Sequence, residues 1–170
     1  MIKNIISTSV LTASLLSSSV LAEESDSNVS FGVGVGIPYA VIGVNMTANI
    51  NEHVDVSAAI GTVGELAWSA GAHMYPLVDS DFRASMYYGT NGVIRVERCH
   101  WTCEDPEWEG YTGLSAGLGW GTRGGESGFT ADLILLITSG AFDEADKLED
   151  EGYDISGSYS RVKIALGYQF

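Results

Sequence analysis

The stretch Ser158 to Phe170 constrains the fold more than any other part of the chain. Val162, Ile164, Leu166, Tyr168 and Phe170 alternate with Arg161, Lys163, Ala165, Gly167 and Gln169. A period of two is a strand. One of its faces is apolar over five positions and the other carries two cations, as for a strand with hydrocarbon on one side and a polar interior on the other. No apolar run in the mature sequence approaches the roughly 18 residues of a transmembrane helix. A chain that crosses a bilayer without one must do so as a closed barrel, because hydrocarbon satisfies no backbone polar group.

The same period recurs along the chain. Apolar sets at Val29 to Ile37, Ala40 to Ile50, Val54 to Ile60, Leu66 to Met74, Phe82 to Tyr88, Thr112 to Trp120 and Phe129 to Ile137 each alternate with residues dominated by Gly, Ser, Thr, Asp and Arg. With the final stretch this predicts eight strands. On the inner face of the seventh, Ile134 and Leu136 break the polar rule and Thr138 keeps it. Turns at Asn51–His53, Val78–Asp81 and Thr122–Ser127 are short and fall at one end. The two long connections, about 90–110 and 139–157, fall at the other. That asymmetry is typical of transmembrane barrels, with short turns inside and long loops outside. Aromatic girdles are expected from Phe82, Trp120, Phe129 and Phe170 at the short-turn rim and from Tyr39, Trp68 and Tyr88 at the other.

Residues 1–22 read as a secretory signal peptide, with Lys3 before an apolar stretch and Ala22 at the cleavage point, leaving one domain over 23–170. The 22 acidic residues against eight Lys and Arg give a net charge of −14, which argues against nucleic acid as a partner. Two cysteines in an exported chain favour an oxidising compartment.

In its signal peptide, its strand pattern and a final strand ending on an aromatic, the chain resembles small bacterial outer-membrane β-barrels of the OmpA/OmpX type. The resemblance implies an all-β, eight-stranded, antiparallel up-and-down transmembrane barrel in the bacterial outer membrane. It also implies that Tyr168 and Phe170 form the signal read by the outer-membrane assembly machinery, with lipid and lipopolysaccharide as surroundings. The expected role is non-enzymatic, structural or in surface contact through the long loops. The alternatives are a lipid A-modifying enzyme and a narrow ion or small-solute channel.

Five charged residues on inner faces, Asp55, Arg83, Asp132, Arg161 and Lys163, are expected to neutralise one another in a lumen ion-pair network, with His73, Tyr75, Tyr87 and Tyr159 adding hydrogen bonds. A proton or ion path through the inner glycines is the competing use. Cys99 and Cys103 in CHWTC are expected to form a disulfide that stiffens a loop tip presenting His100, Trp101 and Trp108; a zinc or copper site and a redox pair are the other readings. No cofactor or resident metal is expected. The acidic clusters Glu104 to Glu109 and Asp143 to Asp154 read as solvated surface, with weak divalent-cation or extracellular-ligand binding as the second reading. A serine-histidine-acid triad acting on lipid A would need a histidine at the outer end. Only His100 meets that, without an accompanying motif.

Overall fold

The computed structural model describes residues 28–96, 107–150, 155–158 and 160–170. The expected signal peptide, the CHWTC segment with Cys99, His100, Trp101 and Cys103, and Tyr159 lie outside the described residues. Among the described residues, no helix is long and apolar enough to cross a membrane.

The strands are β1 (Val29–Gly36), β2 (Val41–Asn51), β3 (Val54–Thr62), β4 (Leu66–Met74), β5 (Phe82–Val96), β6 (Glu107–Gly121), β7 (Gly128–Leu136), β8 (Ile155–Ser158) and β9 (Val162–Gln169), with one helix, α1 (Gly140–Asp150), between β7 and β8. Every pairing is antiparallel. Eight strands close a barrel in the order β1, β2, β3, β4, β5, β6, β7, β9, with β9 back against β1. β8 stands outside that count, on β5 alone.

The register fixes the barrel's shape. From Val29 the row of partners runs through Ala48, Val56, Ala72, Met86, Ala116, Leu135 and Val162. Val162 stands four residues above Leu166, whose partner on β1 is Val35. The row therefore re-enters the line of β1 at position 39, ten residues above its start. Eight strands with a stagger of ten correspond to a tilt of roughly 40° and an interior that side chains just fill.

That row is entirely aliphatic or Met, and it faces out. Phe31, Val33, Ile42, Val44, Ile60, Leu66, Leu118, Leu133, Ile164 and Leu166 are likewise exposed, whereas Asn45, Thr47, Asp55, His73, Arg83, Ser115, Thr130 and Asp132 are buried. This inverts the distribution of a soluble domain. On β9 the outward set from Val162 to Phe170 covers about 20 Å along the barrel axis, eight steps of about 3.3 Å at that tilt.

Three sequence expectations need correction. The segment from Thr90 to Gly110 is not all loop: β5 and β6 continue as a paired hairpin to Val96 and Glu107, past a bulge at which Asn91 is the extra residue. The β4 ladder on β5 ends at Gly89, at φ 147°, just before that bulge, so the hairpin continues without β4 beside it. The second long connection contains α1. The first strand stops at Gly36 rather than Ile37, because the chain turns into the lumen as a 3-10 turn over Ile37–Tyr39, all three residues buried. Tyr39 is thus an interior side chain and not part of the outer girdle. Trp68 and Tyr88 do pack edge to face on the outside, 5.8 Å apart, and Phe129 and Tyr168 do so at the other rim, 5.1 Å apart.

Candidate functional site: the lumen and its two closures

The lumen is layered. In its middle, Arg83 on β5 grips Asp132 on β7 with two hydrogen bonds, Nε to Oδ1 at 3.2 Å and Nη2 to Oδ2 at 2.9 Å, both side chains almost fully buried. Two-pronged geometry is the strong form of this pair. The pair sits across Gly119, the partner of both residues on β6, where a side chain would collide with it. Beside it the Tyr39 hydroxyl bonds Thr130 Oγ1 at 2.6 Å. The Tyr39 ring lies on Gly34 and Gly167, a cross-strand pair of glycines that leaves room for it. His73 is buried with Ser85 Oγ 3.1 Å from Nδ1 and Ser57 Oγ 3.0 Å from Nε2, and its ring meets Tyr87 edge to face. Neither nitrogen is held by a carboxylate, so the imidazole lacks the third group that orients a triad base.

The lower end is closed by a residue the sequence reading passed over. Arg123, in the turn before β7, donates from Nη1 to the Glu52 carbonyl at 2.9 Å and from Nη2 to the carbonyls of Leu77, at 3.1 Å, and Val78. Its guanidinium also lies 4.6 Å from the centre of the Tyr75 ring. One side chain thereby ties all three short turns together. Above it Asp55 accepts from Asn49 Nδ2 at 2.9 Å, the Tyr75 hydroxyl at 3.1 Å and the Gly124 amide at 2.8 Å.

At the upper end the lumen turns apolar. Ile37, Tyr87, Ile134, Leu136 and Ala165 form one cluster, and Phe142 of α1 packs onto it. This explains the inner face of β7: Ile134 and Leu136 lie in a dry layer beneath the helix. Ala141 and Ala145, on the same helix, pack against Ile94 of the β5–β6 hairpin, with Tyr111 and Leu148 alongside. Burial, the hydrogen bond from its hydroxyl to Glu109 Oε2 and that residue's charge all raise the Tyr111 pKa. The chain then runs to β8 on β5 and back to β9. Since β5 stands three strands round the wall from β9, the connection from β7 to β9 reaches over part of the mouth.

The five expected members of the charge network do not form one unit. Arg83 and Asp132 pair. Asp55 is satisfied by neutral donors one layer below. Lys163 faces inward near the mouth and is half-buried. Arg161 is exposed at the rim rather than in the lumen, its guanidinium 5.4 Å from the centre of the Phe142 ring. It stands one step above the last β9 residue that the wall encloses. Thr138 is likewise exposed, because β7 has ended at Leu136. Trp108 lies in the hairpin strand β6, exposed, with the Arg95 guanidinium 5.9 Å from its centroid. Arg123 and Asn91 were legible only as a turn cation and a turn amide. No family model, curated protein or solved structure matches the chain.

Proposed function

We propose that the chain is a non-enzymatic protein of the bacterial outer membrane, a plugged barrel that contributes to the envelope and presents the β5–β6 hairpin and α1 at its outer end. The observation that carries this is the inverted distribution of side chains round a closed eight-stranded wall: aliphatic and aromatic outside, charged and hydroxylic inside. Exposing such a belt to water would cost about 25 cal/mol per Å² of apolar area, whereas lipid removes the cost. Short turns at one end and an elaborated cap at the other agree with entry from the periplasm. Tyr168 and Phe170 stand at the lower rim, where Phe170 exchanges both backbone hydrogen bonds with Phe31 across the closing seam. The role proposed for them in recognition by the assembly machinery rests on the family resemblance.

Three experiments test this reading. Folded in detergent, the mature protein should migrate faster on a gel unboiled than boiled, and in cells externally added protease should reach the β5–β6 hairpin while sparing the wall. Unchanged mobility together with recovery in the soluble periplasmic fraction would overturn the reading. Lipid A profiles from cells with and without the protein should be the same; a difference in acylation would replace the non-enzymatic role with a lipid-modifying one.

A further inference from the structure

The wall has a gap at its closing seam. β9 begins at Val162, yet its ladder to β1 stops at Val35 and Leu166, because Gly36, at φ 108°, sends the chain inward. The next pair in the alternation would join position 37 to Ile164. Ile37 is instead inside the barrel, so the edge of β9 from Val162 to Ile164 has no β1 strand beside it. β2 resumes the wall at Val41, after Ala40 and Val41 pass through positive φ. Non-glycine residues in that region are uncommon and mark a return the surroundings impose.

A cavity of ≈ 180 Å³ fills the gap, lined by Gly36, Ile37, Val41, Thr90, Asn91, Val93, Lys163 and Ile164. Ile164 is 70% exposed on the lipid-facing side and Asn91 is 4% exposed inside. The cavity is bordered by both, one from the outer face of the wall and one from the inner. Its lining changes in the same direction, from Ile164, Val41 and Ile37 to the polar Thr90, Asn91 and Lys163. Asn91 Nδ2 donates to Ser115 Oγ and the Thr138 carbonyl, while its Oδ1 is buried and, among the described residues, has no partner.

From this we infer that the seam is a lateral binding site for one acyl chain of an anionic lipid or fatty acid, entering from the membrane between β1 and β9. This inference rests on the proposed membrane location. The size selects a chain rather than a whole lipid, being below the roughly 300–1,000 Å³ of sites that enclose a complete small ligand. The half-buried Lys163 ammonium sets the sign of the head group.

The test uses the mature protein in phosphatidylcholine nanodiscs with a palmitate bearing a photoreactive diazirine near its carboxyl end, the cross-links being mapped by mass spectrometry. Saturable labelling of the peptides holding Gly36 to Val41 and Val162 to Ile164 is expected. Excess unlabelled palmitate should compete with it, and Val93→Trp, which fills the cavity, should cut it at least fivefold while the gel shift persists. Labelling spread evenly over Leu118, Leu133 and Phe129, uncompeted and unaltered by the variant, would mean bulk lipid contact only and would overturn the site. Absence of label anywhere on the belt would instead overturn the membrane reading.

Discussion

At the scale of single residues, the interior is held by pairs whose members are worth little alone. Arg83 has no other carboxylate at hydrogen-bond distance among the described residues, and removing the charge of Asp132 strands a buried guanidinium. Asp132→Asn should therefore cost about 3–5 kcal/mol in urea unfolding followed by the gel shift, while the double replacement Arg83→Met with Asp132→Leu should cost much less. Equal losses in the two variants would show that the pair contributes shape rather than charge. Gly167 is set by a steric condition: a Cβ there would strike the Tyr39 ring. Gly167→Ala should destabilise by about 1–3 kcal/mol. The same change made on a Tyr39→Ala background should cost little, and full additivity would place Tyr39 elsewhere. Inward facing was legible for Asp55, Arg83 and Asp132 because parity alone determines it. Their partners were not, since parity says nothing about height, and one layer separates Asp55 from Asp132.

At the scale of elements, the wall was readable and the cap was not. Alternation identifies strands wherever the two faces of a closed wall carry opposite chemistry, and that holds for its eight strands, β1 to β7 and β9. Beyond the wall the constraint lapses. The hairpin extension, with its Asn91 bulge, therefore read as loop. The helix was hidden for a different reason: Asp143, Glu144, Asp146, Glu149 and Asp150 dominate its composition, although Ala141, Phe142, Ala145 and Leu148 recur at helical spacing behind Ser139. Ser139 Oγ accepts from the Ala141 amide at 3.3 Å, the bond of an N-cap. Ser139→Ala should lower the protection of α1 amides in hydrogen exchange by about 1 kcal/mol, leaving wall amides in β2 and β3 unchanged. Ala145→Asp, which sets a charge against Ile94, should free the helix altogether. If α1 amides exchange only through global unfolding in all three proteins, the cap is not a separate unit.

For the molecule as a whole, the question is whether a barrel of this size conducts. An eight-stranded wall leaves an interior that side chains fill, and here the filling is nearly continuous. Arg123 laces the lower turns, Arg83, Asp132 and Tyr39 occupy the middle, and Phe142 seals an apolar layer that includes Tyr87 beneath α1. Each closure has its own bonds, so opening one leaves the others. Wild-type protein in planar bilayers should give no unitary steps above baseline between about pH 5 and 8, since the charges of the middle pair are locked to each other rather than lining a path. Arg123→Ala should weaken the lower end by roughly 1.5–3 kcal/mol, the range for hydrogen bonds to a charged group, and still not conduct. Conductance should require the middle layer to go as well, with Arg83→Ser, Asp132→Ser and Tyr39→Gly combined on that background. Steady steps from the wild type, blocked by multivalent cations, would establish the channel reading in place of the plugged scaffold.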